Sequence, residues 1–293
     1  MMSILPQHLH LHRAAPIRHH NHHQRNHRVY CTATNPSKTS PKLEKLVINT
    51  APPKTDDPSL KSTWGHRAWL AAGSTTVLLT LSNSITASID SHMWVEPILS
   101  GVTGYFFSDL ATGIYHWGID NYGDESTPLI GKQAGMALGH HKWPWTIVKR
   151  EVANNLHALA GGVTVILLPI NLIYHDRPLA MAFLGVASGC IMLSQQFHAW
   201  AHGTKSKLPP VVVALQDAGI LLSPSHHAGH HTPPCKNYCI VSGIWDGFLD
   251  KHRVYEGLEM AVFEKFGVRP RSWGEVNSGM VEEMDASPPT SPP

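Results

Sequence analysis

The chain has 293 residues, and its 22 histidines nearly equal its 23 lysines and arginines together. Charged residues make up only 15% of it, against roughly a quarter in a typical soluble domain. A net charge of +2 excludes a strongly basic nucleic-acid binder, and four scattered cysteines without a CxxC pair exclude a disulfide framework or a cysteine zinc finger.

The first acidic residue is Glu44, whereas Arg13, Arg18, Arg25, Arg28 and eight histidines precede it. An acid-free, arginine-bearing start reads as an organelle transit peptide over residues 1–33, ending in a plastid-type cleavage region at Arg28–Ala33. The competing reading is a histidine-rich metal tract, but the spacing there is irregular. Residues 34–63 carry Pro and Asp clusters and read as a flexible linker. Residues 276–293 form an acidic, Pro/Ser-rich tail of disordered type. The working unit is therefore 64–275, with fourteen histidines left.

Four apolar stretches follow in this unit. Ala68–Ile89 holds 22 residues without a charge and Pro178–Phe197 holds 20. Val152–His175 has only His157 and His175 as ionisable members, and Pro97–Trp117 is apolar except for Asp109 and His116. About 20 such residues cross a bilayer core. The expectation is an all-α, multi-pass membrane protein with about four transmembrane helices; the alternative is four buried helices of a soluble bundle. Short connections at Asp90–Glu96 and Asp176–Arg177 lie on one side. Lys61, Arg67, Lys132, Lys142, Lys149, Arg150, Lys205 and Lys207 lie on the other. The positive-inside rule turns this second face to the cytoplasm, or to the stroma of a plastid.

Sidedness sorts the histidines. His116, His140, His141, His157, His198, His202, His226, His227, His230 and His231 all reach the basic face, while His92 and His175 fall on the other. His198 and His202 are i, i+4, and His227, His230 and His231 are i, i+3 and i+4, so each set shares a helix side. His116 and Asp120 are also i, i+4, and Asp109 lies on the same stripe. His140 and His141 point about 100° apart on a helix, so each can serve a different metal. Imidazole suits zinc, copper, iron and nickel, and residue type alone does not choose among them. A structural zinc takes four ligands and a catalytic zinc about three, which leaves most of these histidines unused. Two irons at a membrane face account for the number best, and such a centre activates dioxygen for hydrogen removal from a lipid chain.

Phe107–Asp109, Gly113–Trp117, Asp120–Gly123, Gly139–Lys142, His198–His202 and Ser223–His231 together resemble the plasmanylethanolamine desaturase family over residues 64–275. With the plastid-type start, the chain is most similar to the plant branch of that family that acts on palmitate. The resemblance implies a di-iron centre, dioxygen as co-substrate, and ferredoxin as electron donor. It also implies a trans-3 double bond in the palmitoyl chain of chloroplast phosphatidylglycerol. Position by position it assigns the metal to His116, His140, His141, His198, His202, His227, His230 and His231, with Asp120 beside the first. Asp109, His226 and His157 are expected to support the site, Asp109 by bonding a ligand histidine or joining the iron shell. Lys142, Lys149 and Arg150 either pair with an anionic head group or only set topology. Two other chemistries stay open: a hydroxylase on the same di-iron scaffold, and a zinc-dependent membrane lipid hydrolase or amidase.

Overall fold

The computed structural model describes residues 54, 56–232 and 236–274. The expected transit peptide, most of the linker and the acidic tail lie outside the described residues. Among those described, every regular element is helical. Two long helices come first, α1 (Trp64–Ser91) and α2 (Val95–Tyr122), then two short ones, α3 (Gly131–Lys142) and α4 (Trp145–Lys149). A second long pair follows, α5 (Val152–Tyr174) and α6 (Pro178–Ala201). The chain finishes with α7 (Pro210–Asp217), α8 (Pro224–Ala228), α9 (Asp246–Lys251) and α10 (Val254–Phe266).

Local chemistry marks the helix ends. Thr63 caps α1 by accepting from the His66 amide at 3.2 Å, and its own amide donates to His66 Nδ1 at 3.3 Å. This reciprocal pair is a capping box, and it gives His66 a structural task. α1 stops at His92, which takes a left-handed conformation (φ 56°), and Pro178 opens α6 at its first turn. Both turns lie at the end of the bundle away from the other histidines, and they hold His92 and His175.

α1 packs along α5 and α6, and α2 packs along α6, so the first two helices meet α6 more than each other. Two glycines allow the close approach. A Cβ on Gly73 would lie 2.8 Å from the Ala160 Cβ, and one on Gly104 would lie 2.5 Å from the Phe183 carbonyl oxygen. Val77, Ala160, Val163, Leu167 and Met192 fill the space between α1, α5 and α6. Near the turn end the contacts become polar. Asn171 donates to Thr80 Oγ1 at 2.7 Å and accepts from Asn83 at 2.9 Å, and Ser84 donates to the Pro178 carbonyl at 2.8 Å.

The outward faces remain apolar. Leu78, Ile85, Ile98, Leu99, Val165, Ile166, Leu172 and Ile173 are all exposed. Among the described residues, only α5 and α6 combine the length and apolarity needed to cross a bilayer. α1 and α2, with 28 residues each, are long enough. Their composition falls short because Ser74, Thr75, Thr76, Thr80, Ser82, Asn83 and Ser84 dilute α1, and Ser100, Thr103, Ser108 and Asp109 dilute α2. Most of these hydroxyls bond their own helix or a neighbour, as Thr80 Oγ1 does to the Thr76 carbonyl at 2.8 Å.

Because Gly104 has no room for a side chain, Gly104→Val is expected to push α2 off α6 and destabilise the fold by about 1–3 kcal/mol. The thermal midpoint of the detergent-solubilised protein should fall, and an unchanged midpoint would refute the close α2–α6 contact.

Candidate metal centre

Four segments bring donor atoms to one end of the bundle. The last turns of α2 carry His116 and Asp120, and the last turn of α3 carries His140 and His141. α6 contributes His198 and its C-cap residue His202, while α8 and the turn after it contribute His227, His230 and His231. These nine residues form two sets, each with its ligand atoms within 4.8 Å of one another. His140, His198, His202, His227 and His231 make one, and His116, Asp120, His141 and His230 the other. The sets abut, with the His140 and His141 rings 4.6 Å apart and the His141 and His231 rings also 4.6 Å apart.

The rings are held in a defined tautomer. His116 Nδ1 donates to the Tyr238 carbonyl at 3.0 Å, His140 Nδ1 to the Ala137 carbonyl at 2.7 Å, and His230 Nδ1 to the Lys236 carbonyl at 2.9 Å. A carbonyl can only accept, so each Nδ1 carries the proton and each Nε2 presents a lone pair. Two of those lone pairs, on His116 and His230, point at the Asp120 carboxylate. Asp120 Oδ2 lies 3.3 Å from His116 Nε2, 3.0 Å from His141 Nε2 and 3.2 Å from His230 Nε2. In the other set His227 Nε2 is 2.9 Å from His202 Nε2 and 3.2 Å from His231 Nε2. His140 Nε2, both ring nitrogens of His198, His227 Nδ1 and Asp120 Oδ1 are buried without a hydrogen-bond partner.

Acceptors facing acceptors in a buried space repel one another unless a cation lies between them. Burial, reinforced by neighbouring imidazoles, holds His140, His227 and His231 well below the usual imidazole range, and His202 at about 3. Neutral imidazole is the form a metal requires. The donor set thus fits two nitrogen-rich divalent metals, one with five imidazoles and one with three imidazoles and a carboxylate.

The scaffold behind the rings is a single loop pinned from two sides. Asp109 Oδ1 accepts from the amides of Val241, Ser242 and Gly243 at 3.2, 2.7 and 3.0 Å, and Oδ2 accepts from the Trp245 amide at 3.4 Å. Asp246 accepts from the Cys239 amide at 3.0 Å through Oδ1 and from His226 Nε2 at 2.8 Å through Oδ2. The loop so fixed supplies the Lys236 and Tyr238 carbonyls that orient His230 and His116. The C-terminal segment clamps the metal end of α2. Arg271 donates to the Asp120 carbonyl at 2.9 Å, and Glu259 accepts from Trp117 Nε1 at 3.2 Å.

Of the residues named from sequence, the eight histidines and Asp120 meet here, and three others do not. Asp109 is expected to touch a ligand histidine or the metal, but both its oxygens are taken by backbone amides. His226 bonds Asp246, and Asp246 raises its pKa through a hydrogen bond that outweighs burial. His157 stacks on His66 with centroids 4.0 Å apart and donates through Nδ1 to the Asn154 carbonyl at 2.8 Å. The pinning residue Asp246 and the orienting carbonyls of Ala137, Lys236 and Tyr238 have no sequence signature, because a carbonyl belongs to every residue type. Cys239 is buried beside Trp117 and Tyr255, while Cys235 lies outside the described residues.

Residues 105–273 match a family model described as a lipid desaturase domain. Fatty acid desaturase 4-like 1, chloroplastic, of Arabidopsis thaliana is 51% identical over 265 residues, covering 89% of this chain and 90% of that protein. Fatty acid desaturase 4, chloroplastic, of the same plant is 55% identical over 226 residues, covering 77% and 70%. A plasmanylethanolamine desaturase of Myxococcus xanthus is 29% identical over 206 residues, covering 64% and 70%. No solved structure matches the chain.

Two predictions follow from the geometry. His202→Ala or His230→Ala should lower bound metal, measured by elemental analysis, whereas His92→Ala and His175→Ala should retain it. Asp109→Asn turns amide hydrogens toward the loop's own N–H groups and should cost about 1–3 kcal/mol of stability. Metal should be lost with it, although Asp109 touches none of the nine; full retention of metal would remove the loop from the argument.

Proposed function

Because the chain belongs to the lipid desaturase family, we propose that it is a membrane-bound acyl-lipid desaturase of the chloroplast that works with two irons and dioxygen. Family membership makes it an oxidoreductase acting on fatty acyl chains, and its chloroplastic relatives give the compartment. The observation that carries the metal reading is the pair of abutting donor sets, in which atoms of His116, Asp120, His140, His198 and His227 are buried without a hydrogen-bond partner. A pair of irons held there supplies the activation of dioxygen that unactivated methylenes require.

The chain's own residues do the rest. His140, His198, His202, His227 and His231 would hold one iron, and His116, Asp120, His141 and His230 the other. The carbonyls of Ala137, Lys236 and Tyr238 keep three of these rings with Nε2 unprotonated. The reaction balances as the removal of two hydrogens from adjacent methylenes, with dioxygen, two electrons and two protons giving two waters. The electrons come from outside the chain; in a plastid the donor is ferredoxin.

Four membrane spans, α1, α2, α5 and α6, are part of the proposal. Support comes from the apolar residues exposed along all four and from the separation of charge between their ends. Lys132, Lys142, Lys149, Lys205 and Lys207 lie at the metal end and Asp90, Glu96 and Asp176 at the other, which turns the metals toward the stroma. Residues 1–33 act as the transit peptide, 34–63 as linker, 64–275 as the catalytic unit and 276–293 as a tail. The substrate in this reading is the palmitoyl chain of phosphatidylglycerol, and the product its trans-3 alkene.

Expression in a plant line lacking this activity should restore trans-3-hexadecenoate in phosphatidylglycerol, read by gas chromatography of that lipid's acyl chains. The purified protein should contain about two irons per chain, in keeping with the two donor sets. A single zinc would overturn the desaturase chemistry. A 3-hydroxy acid in place of the alkene would move the protein to the hydroxylases.

A further inference from the structure

Arg150 is a cation that the metal centre leaves unexplained. It sits between α4 and α5, at the metal end of the bundle. Its Nη1 donates to the Met136 sulfur at 2.8 Å, and its Nε is buried without a partner. The adjacent carboxylate of Glu151 turns away, accepting from the Ser62 amide at 2.9 Å and lying 3.6 Å from Lys61 Nζ. Burial lowers the Arg150 pKa, the direction expected of a cation that has lost water without gaining a counter-charge. A guanidinium in this state is a ready partner for an anion brought by a ligand.

The surroundings indicate which anion. Arg150, Met136 and Thr146 line two spaces at once, an open groove of ≈ 610 Å³ and a narrow cavity of ≈ 60 Å³. Glu125 and Lys132 line the groove but not the cavity, so Arg150 is the charge shared by both. Besides the three residues shared at this neck, the cavity is lined by Ile119, Ile147, Leu159, His116, His140 and His198. A ligand that fills both spaces needs an anionic group where they join, a polar part outside and an apolar part running inward. A phospholipid has that order of parts, and a free phosphate lacks the apolar one.

We propose that Arg150 binds the phosphodiester of a phospholipid substrate at this neck, with the first carbons of an acyl chain entering the cavity toward His116, His140 and His198. The identity of the chain in the cavity rests on the desaturase reading; the phosphodiester site rests on the groove, the neck and Arg150. Fixing the head group so close to the metal-side histidines selects methylenes near the carboxyl end of the chain over those near its methyl end. Lysine would keep the charge but lose the planar fork that meets two phosphate oxygens together.

The test uses the full-length, metal-loaded protein in detergent. Retention of dipalmitoyl phosphatidylglycerol, dipalmitoylglycerol and glycerol phosphate is measured for wild type, Arg150→Gln and Arg150→Lys. Arg150→Gln should reduce phosphatidylglycerol retention by about tenfold, as loss of a charge-assisted bond predicts, and Arg150→Lys should fall between. Both variants should hold dipalmitoylglycerol and metal as wild type does. Turnover should show a KM for phosphatidylglycerol that rises more than kcat falls. Unchanged phosphatidylglycerol retention in Arg150→Gln, or an equal loss of dipalmitoylglycerol, would overturn the site. So would displacement of the lipid by an equal concentration of glycerol phosphate, which would assign Arg150 to a soluble phosphate. Wild type that retains the lipid through Arg150 yet forms no alkene would sink the desaturase reading and leave the phosphodiester site standing.

Discussion

Nine metal-ligating side chains drawn into two abutting sets at one end of the bundle are the constraint around which this protein is arranged. In water each imidazole and the Asp120 carboxylate would have its own donors. At the end of the bundle they have lost that water, and three rings have already committed their proton to a backbone carbonyl. Such a cluster is unfavourable unless cations fill it, and it needs a rigid frame to hold it together. Metal affinity and fold stability are therefore coupled here. The frame stores the repulsion that binding then relieves.

The frame consists less of the long helices than of what holds their ends. Two buried acids, Asp109 and Asp246, gather amides of the 236–245 loop, and that loop sets the tautomers of His116 and His230 through the Tyr238 and Lys236 carbonyls. Arg271 and Glu259 fix the metal end of α2 from the C-terminal side. This explains why the lipid desaturase match continues to residue 273, well past the last histidine of the cluster. A carboxylate in an apolar helix looks like a ligand by composition alone. Asp109 instead organises a loop by accepting from four of its backbone amides.

In the proposed function, placement at one end of an apolar bundle would give the metals access to lipid. The exposed Leu, Ile and Val side chains of the long helices suit contact with acyl chains, and the groove opens at the same end as the donor sets.

Much of this was readable in the chain itself. Spacing and sidedness brought ten histidines to one face, because helical periodicity and charge-free length are properties of sequence alone, and the family resemblance picked the eight and Asp120 from among them. Sidedness also set aside His92 and His175, which the fold puts in the turns at the far end. Span number was less legible, since hydroxyl and amide side chains in α1 and α2 lower their apolarity while bonding within the bundle. The roles of Asp109, His226 and His157 were not legible either, because each depends on which backbone atom the fold brings opposite. Residue type determined which groups could bind a metal. Only the tertiary structure decided which ligand atoms would meet and which buried acid would organise which loop, because those choices are made by atoms far apart in the chain.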